Sequence, residues 1–318
     1  MLPTLDELET SAEQVHAVVA PTLQYNWPLL AERCGCEVWV KHENHTPIGA
    51  FKVRGGLTFM ADFAQRGNDA GIITATRGNH GQSIGFAARA AGMAATIVVP
   101  EGNSKEKNAA MKALGVRLLV HGKDFDEARE FADATAVKEG LSFVPSFHPL
   151  LIRGVASYAL ELFGAVQDLD AVYVPIGLGS GICGTIAARD ALGLRTKIIG
   201  VVAENAPAYA LSYEAGRPVN TNNADTFADG VACRVPDPEA VEIINGGAAR
   251  IVAVSEDEIK HAMRAYFTDT HNLAEGAGAA PLAALMKEKG AMQGRKAAVI
   301  LTGGNIDTEL YGAILAGG

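Results

Sequence analysis

The chain has 318 residues, of which 48% are hydrophobic and 20% are charged, and its formal net charge is −9. This length and composition suit a globular protein with a large apolar core, arranged as one large domain or two lobes. The acidic balance without a basic cluster argues against nucleic-acid binding, and no apolar run reaches the roughly 18 residues of a membrane span.

The first residues, MLPTLDELETSAEQ, lack the charged and then apolar pattern of a signal peptide. The four cysteines have neither the spacing of a zinc site nor the density of a disulfide scaffold. We therefore expect buried or incidental thiols in a cytoplasmic protein. The cysteines are Cys34, Cys36, Cys183 and Cys233.

Short apolar runs typical of buried strands alternate along the chain with longer amphipathic runs typical of helices. Such strand–helix units predict an α/β fold with right-handed crossovers. Glycines that end the helices fit C-terminal caps at Gly92, Gly115 and Gly140. The predicted strands are 36–43, 70–76, 95–100, 116–122, 141–147, 171–177, 197–205 and 297–304, and helices are predicted at 83–92, 105–115 and 126–140.

Four unusual loops lie at or near the carboxyl ends of predicted strands, where ligands bind in α/β sheets. The first, PIGAFKVRGG, frames Lys52 with a proline, glycines and an aromatic residue, as suits a reactive amine rather than an exposed lysine. The other three are TRGNHGQ (76–82), GLGSGICG (177–184) and TGGN (302–305).

The third loop allows three interpretations. Residues 179–184 form a GxGxxG pattern, and Glu204 follows Gly184 by 20 residues, as in a dinucleotide-binding motif. The loop could instead bind one phosphate at a helix N-terminus, or be a structural turn. A NAD-dependent oxidoreductase leaves Lys52, Asn79 and the TGGN loop without a role. Pyridoxal phosphate uses all four loops, because it needs an amine, an anion site and two partners for its ring.

Together these motifs resemble those of the serine/threonine dehydratase family of pyridoxal-phosphate enzymes, which includes serine racemases and hydroxyaspartate dehydratases. ADGVA (228–232) and AEGAGAA (274–280) resemble two further active-site segments of that family. The resemblance implies the tryptophan-synthase-β-like fold (fold type II), in which each lobe is an open, mostly parallel sheet flanked by helices. The small lobe would comprise residues 66–148, and the large lobe residues 1–65 and 149–318, with the lysine and the phosphate loop.

The resemblance also implies roles for individual residues. Lys52 would attach the cofactor covalently and then take the Cα proton, with a pKa lowered by burial and by the charges of the cofactor. Asn79 would bond the ring hydroxyl, although a plain turn residue is an alternative, and Thr302 would face the ring nitrogen. A neutral hydroxyl at that nitrogen favours elimination over transamination. The remaining cofactor contacts would be Phe51, Gly177, Leu178, Gly179, Ser180, Gly181 and Glu275, the last of which is otherwise a helix N-terminal acid.

The substrate loop departs from the family pattern at Arg77. Racemases have a serine there as a second acid/base, and a guanidinium cannot take up a proton, which disfavours racemisation. Thr76, Asn79 and His80 would bind the substrate α-carboxylate. Arg77 and Arg153 could bind a second carboxylate, which slightly favours 3-hydroxyaspartate as the substrate. Pairing of these arginines with local carboxylates is an equal alternative, and L-threonine or L-serine is the family default.

Glu204 matches one ligand of a divalent-cation site found in some relatives, but Ala210 lacks the second carboxylate, so a bound Mg²⁺ or Ca²⁺ is the weaker prediction. No regulatory segment follows the last predicted strand, which favours a catabolic enzyme. The sequence therefore predicts a cytoplasmic lyase, a dehydratase and ammonia-lyase for a β-hydroxy-α-amino acid. We expect a homo-oligomer, as in relatives, whose partner is a small-molecule amino acid rather than nucleic acid or a membrane.

Overall fold

Two sheets organise the computed structural model, which describes residues 2–67 and 70–317. The larger sheet has the strand order β1-β2-β10-β7-β8-β9, and the smaller has the order β5-β4-β3-β6. All pairings are parallel except the antiparallel pair β1–β2. The predicted α/β class is therefore confirmed. The strands are β1 (Gln24–Asn26), β2 (Glu37–His42), β3 (Ile72–Ala75), β4 (Ala95–Val99), β5 (Arg117–Val120), β6 (Ser142–Phe143), β7 (Ala171–Pro175), β8 (Lys197–Ala203), β9 (Ala248–Val254) and β10 (Lys296–Leu301).

Helices connect most of the parallel strands and cover both faces of each sheet, as parallel sheets require. The α-helices are α1 (Leu5–His16), α2 (Pro28–Cys34), α3 (Val53–Gln65), α4 (Asn79–Ala90), α5 (Lys105–Ala113), α6 (Phe125–Glu139), α7 (Pro149–Ala165), α8 (Ser180–Ala191), α9 (Ala208–Ala215), α10 (Pro238–Gly247), α11 (Glu256–Thr270), α12 (Gly276–Lys287), α13 (Lys289–Met292) and α14 (Thr308–Leu315). Two 3₁₀ helices, η1 (Glu43–His45) and η2 (Asp229–Val231), lie beside the loops described below.

The core follows the two-residue period of the strands. In β7, Tyr173 packs into the cluster on one face of the larger sheet, and its neighbours Val172 and Val174 pack into the cluster on the other. In β3, Ile72 and Ile73 divide in the same way between the two faces of the smaller sheet. Every residue of both strands is buried, so these apolar runs form strands because both of their faces are covered.

Several local predictions are confirmed, and others are not. Gly92, Gly115 and Gly140 have positive φ angles just after α4, α5 and α6, as C-terminal caps do. Each predicted strand is present, although the run 141–147 pairs only at Ser142–Phe143. The sequence reading missed β1 and β9, which are both edge strands.

The two sheets use different parts of the chain. The smaller sheet takes its strands from residues 72 to 143, and the larger sheet takes its strands from before and after that segment. Helix α3 packs against α4 and shares a core cluster with β3 and β4. The lobe boundaries at 66 and 148 stay a prediction, and residues 1, 68, 69 and 318 of those ranges lie outside the described residues.

No helix among residues 2–67 and 70–317 is both long and apolar enough to cross a membrane.

Candidate active site

The four loops meet because of the strand order. Strands β2, β10 and β7 are adjacent and parallel, so their carboxyl ends lie at one edge of the larger sheet. The lysine loop follows β2, the TGGN loop follows β10, and the glycine-rich loop follows β7. The asparagine loop follows β3 of the smaller sheet and reaches the same place, as the contacts below show.

The lysine loop is fastened to the TGGN loop by backbone hydrogen bonds. The Phe51 N–H donates to the Thr302 carbonyl at 2.9 Å, and the Gly304 N–H donates to the Gly49 carbonyl at 3.0 Å. On the other side, the Ser83 hydroxyl of α4 donates to the Lys52 carbonyl at 2.5 Å. Lys52 is therefore held by elements from both sheets.

The environment of Lys52 lowers the pKa of its amine. Its Nζ lies 4.9 Å from the centroid of the Phe51 ring. Burial lowers the pKa of Lys52 to about 8, against the opposite influence of the Glu275 carboxylate. At pH 7 about a tenth of an amine with this pKa is unprotonated, far more than for an ordinary lysine, and the unprotonated form is the one that acts as a nucleophile or a general base.

A buried ionic network lies next to the lysine loop. Arg54, two residues after Lys52, forms ion pairs with Glu43 at 2.7 Å and with Glu161 at 2.6 Å. Lys41 pairs with the second oxygen of Glu161 at 2.5 Å. Because Arg54, Lys41 and Glu43 are fully buried, their charges depend on one another for compensation.

Asn79 lies at the centre of a second network. Its amide nitrogen donates to Glu275 Oε1 at 2.7 Å, and its amide oxygen accepts from Asn305 Nδ2 at 2.8 Å. Burial raises the pKa of Glu275, and the nearby Lys107 ammonium and the Asn79 amide offset only part of that effect. An asparagine amide has two N–H groups, so one donor of Asn79 remains for a ligand.

The Thr302 hydroxyl has no partner. Thr302 is 2% exposed, and its Oγ1 lies within hydrogen-bonding distance of no donor or acceptor in the described part of the chain. Native structures rarely leave a buried polar atom unsatisfied, and such an atom calls for an explanation. A ligand with a polar atom at this point, such as a ring nitrogen, would satisfy it.

The glycine-rich loop offers backbone donors at the start of α8. Gly179, with φ +103°, is the residue before the helix, and no side chain caps the helix start. Glycine is also required at residue 177, where a Cβ would lie 2.2 Å from the Gly230 carbonyl oxygen. Leu178 and Ser180 complete the loop; the Tyr209 hydroxyl donates to the Leu178 carbonyl at 2.9 Å. The N–H groups of the first turn and the helix dipole suit an anion such as phosphate.

Phe51 connects the glycine-rich loop to the lysine. A Cβ on Gly181 would lie 3.6 Å from the edge of the Phe51 ring, and that ring makes an edge contact with Tyr158. The aromatic side chain therefore lies between the amine and the anion-binding loop.

Thr76 and His80 were predicted to bind the substrate α-carboxylate, but their side chains make hydrogen bonds within the protein. The Thr76 hydroxyl accepts from the N–H groups of Gly78 at 2.9 Å and Gly81 at 3.2 Å. The His80 ring is buried and lies 3.1 Å from the Thr74 hydroxyl. Burial, and to a lesser extent the Lys52 charge, lower the pKa of His80 to about 3. Any contact of His80 with a carboxylate is therefore left to its backbone.

Lys107 and Asp229 also lie in this region, although the sequence analysis gave neither of them a role. Lys107 of α5 pairs with Asp229 of η2 at 3.0 Å, and Arg77 approaches the other Asp229 oxygen at 3.5 Å. Lys107 and Asp229 line a cavity together with Glu275 and Asn305. The ADGVA and TGGN motifs had pointed to Asp229 and Asn305, whereas nothing distinguished Lys107 from other helix-surface lysines.

Arg153 and Glu204 are not brought to this site. Arg153 of α7 contacts Glu7 of α1, by a hydrogen bond to its carbonyl at 3.3 Å and an ion pair at 3.7 Å. Glu204 pairs with Lys287 at 3.3 Å. The described residues contain no group of three His, Cys, Asp or Glu side chains that could hold a metal. The predictions of a substrate-binding Arg153 and of a cation at Glu204 therefore lose their structural support.

The residues present fit pyridoxal phosphate. A lysine of lowered pKa, a buried hydroxyl without a partner among the described residues and a glycine-lined helix start all lie around Phe51. Residues 16–303 also match the family model described as pyridoxal-phosphate dependent enzyme. The chain belongs to this family, and the NAD-dependent alternative is wrong. Glu204, the residue that completed the dinucleotide-binding pattern, pairs with Lys287 instead.

Within this family, the chain is similar to several proteins named as threonine ammonia-lyases, dehydratases or deaminases. The chain is 33% identical over 313 residues to an L-threonine ammonia-lyase of Thermotoga maritima, covering 98% of this chain and 78% of the relative. It is 32% identical over 281 residues to a biosynthetic L-threonine dehydratase of Haemophilus influenzae, covering 87% of this chain but only 55% of the relative. The processed form of threonine deaminase isoform 2 from Solanum lycopersicum superposes with a TM-score of 0.90 and 29% identity, covering 99% and 94% of the two chains.

Proposed function

We propose that the protein is a pyridoxal-phosphate-dependent ammonia-lyase that removes water and then ammonia from a β-hydroxy-α-amino acid, with L-threonine as the main substrate. The observation that carries the proposal is that Lys52, whose pKa is lowered, and Thr302, whose hydroxyl has no partner among the described residues, both lie beside Phe51. The names of the relatives support the same reaction.

Pyridoxal phosphate, when bound, supplies an electron-withdrawing ring that makes the Cα–H bond of an attached amino acid acidic. Lys52 would hold it covalently, with Phe51 beside the ring. Asn79 would use its free N–H toward the ring hydroxyl, and Thr302 would bond the ring nitrogen. Residues 177–181 would bind the phosphate, and Glu275 would keep Asn79 in place through their hydrogen bond.

The reaction then depends on proton transfer by Lys52. Once the amino group of the substrate has displaced it from the cofactor, the neutral amine would take the Cα proton, the electron pair of that bond would form a double bond between Cα and Cβ, and the Cβ–O bond would break. The hydroxide leaves with a proton as water. The released enamine tautomerises to an imine, which hydrolyses to a 2-oxo acid and ammonia.

The neutral hydroxyl of Thr302 favours this outcome. An acidic residue there would keep the ring nitrogen protonated and would stabilise the carbanion, which allows transamination. A hydroxyl does not protonate the nitrogen, so departure of the β-hydroxyl competes well. Racemisation is disfavoured because Arg77 stands where a second acid/base would be needed, and a guanidinium stays protonated.

L-Threonine replaces 3-hydroxyaspartate as the first choice of substrate. The case for an acidic substrate depended on Arg77 and Arg153, and both have carboxylate partners within the protein, Asp229 and Glu7. The cytoplasmic location and the homo-oligomeric state stay predictions from the sequence.

A 2-oxo-acid release assay tests the proposal on the cofactor-loaded enzyme. L-Threonine, L-serine and the isomers of 3-hydroxyaspartate are compared by kcat/KM, with ammonia measured in parallel. We expect equal amounts of ammonia and 2-oxobutanoate from L-threonine and the highest kcat/KM for that substrate. No 2-oxo acid from any hydroxyamino acid would refute the reaction, and a higher kcat/KM for 3-hydroxyaspartate would refute the choice of substrate.

A further inference from the structure

Asp229 is shared by two cations that come from the other side of the cleft. Its Oδ2 lies 3.0 Å from Lys107 Nζ, and its Oδ1 lies 3.5 Å from Arg77 Nη1. Asp229 belongs to η2, close to the larger sheet, whereas Arg77 and Lys107 belong to the loop after β3 and to α5 of the smaller sheet. The carboxylate therefore faces the loop in which a substrate carboxylate is expected.

The two cations are held differently. The Lys107 side chain is 10% exposed, and its stem lies against the backbone of the asparagine loop, where a Cβ on Gly78 would be 2.5 Å from Lys107 Cδ. The Arg77 side chain is 45% exposed and its contact is longer. Arg77 can therefore exchange partners more easily than Lys107.

The charges at this point leave no cation for a second substrate carboxylate. Burial disfavours the charged form of Lys107, but the Glu275 and Asp229 carboxylates more than offset it, so the pKa of Lys107 is raised and the side chain stays cationic. Arg77 and Lys107 face the carboxylate of Asp229, and the Glu275 and Asp307 carboxylates also act on Lys107. The two cations are therefore already matched by carboxylates of the protein. A second carboxylate on the substrate, in addition to its α-carboxylate, would be in excess and would meet Asp229 as a like charge.

We propose that Asp229 is a specificity-determining residue, an internal counter-ion that restricts the site to amino acids with an uncharged side chain. This inference rests on the proposed function, because it concerns the side chain of the same substrate. Asp229 occupies Arg77 and Lys107, which a dicarboxylic substrate would otherwise bind.

The test is Asp229→Asn, which keeps the shape and removes the charge. In the holoenzyme we expect the ratio of kcat/KM for 3-hydroxyaspartate to that for L-threonine to rise at least tenfold, and to rise less at high salt. Asp225→Asn, the same charge change at an exposed position of the same loop, should leave the ratio unchanged. Adding Arg77→Ser to Asp229→Asn should cancel the gain, because one of the two released cations is lost.

A binding measurement separates this inference from the proposed reaction. L-Aspartate and L-2-aminobutyrate lack the β-hydroxyl, so their Kd values can be read from the cofactor absorbance without turnover. Asp229→Asn should lower the Kd of aspartate relative to the Kd of 2-aminobutyrate by at least tenfold, whichever reaction the enzyme catalyses. Equal losses for both ligands, or an unchanged ratio in a folded variant that binds cofactor, would overturn the role of Asp229. If Asp229→Asn does not fold, Asp229→Ala and Asp229→Ser are measured by the same ratios.

Discussion

The amide of Asn79 donates a hydrogen bond of 2.7 Å to Glu275, although the two residues are 196 positions apart in the chain. Asn79 follows β3 of the smaller sheet, and Glu275 lies just before α12, which packs against the larger sheet. The bond therefore ties the two sheets together at the cleft. It also places a carboxylate where it acts on the charge of Lys52.

Replacing Lys52 should abolish the reaction, since no other amine occupies its position. We expect Lys52→Ala to lower kcat by at least about 10²–10⁴-fold, the usual contribution of a positioned acid/base group. Borohydride treatment should add the mass of the cofactor to the native chain but not to the Lys52→Ala chain. Lys112→Ala, at an exposed position of α5, is the control. A Lys52→Ala variant with near-native turnover would contradict the assignment.

The orphaned hydroxyl of Thr302 predicts opposite effects with and without cofactor. Thr302→Val should stabilise the apoprotein by about 1–2 kcal/mol, because it removes a buried polar group without a partner. The same change should weaken cofactor binding, because the ring nitrogen loses its partner. Urea unfolding of both forms measures the two effects.

A matched threonine controls for the change in shape. The Thr74 hydroxyl donates to the Val144 carbonyl at 2.7 Å, so Thr74→Val should destabilise the apoprotein by about 1–3 kcal/mol. If both variants destabilise the apoprotein equally, the Thr302 hydroxyl has a partner in solution.

The pH dependence should follow Lys52. Its pKa of about 8 is below the ordinary value for a lysine, so activity should rise as pH increases through 8 and the amine loses its proton. The Glu275 carboxylate favours the protonated amine. Glu275→Gln should therefore shift the rising limb of the kcat profile to lower pH. Glu214→Gln, at an exposed position of α9, should not shift it. A shift to higher pH would show that Glu275 acts on another group.

The buried ionic network should matter more than a surface ion pair. Arg54→Met leaves Glu43 and Glu161 without their guanidinium, and breaking a buried pair in this way costs about 3–5 kcal/mol. Arg117→Met breaks the exposed pair with Glu139, which contributes at most about 1 kcal/mol. Denaturant unfolding of the two variants should show this difference. Equal losses would mean that the network is solvated.

The sequence predicted best where a local pattern carries the information. The lysine, asparagine, glycine-rich and TGGN loops each have a distinctive pattern, and strand order then brings them together. Lys107 was missed because a lysine on an amphipathic helix has no distinctive neighbours, and its role comes from packing against Gly78. For Arg153 the sequence left two alternatives open, because it does not reveal which helix an arginine faces, and α1 supplies Glu7 as a partner. Strands β1 and β9 were missed; β1 has only three residues, and β9 is only partly buried.

The pairing of β2 with β10 has a consequence for biosynthesis. His42 is in register with Leu301, so the strand that leads to the lysine lies beside a strand that is translated much later. A nascent chain that has not yet reached β10 already contains Lys52 but lacks the Thr302 loop. Contacts between such distant segments also form slowly in folding. The lysine loop therefore reaches its final place only after β10 has been made and has paired with β2.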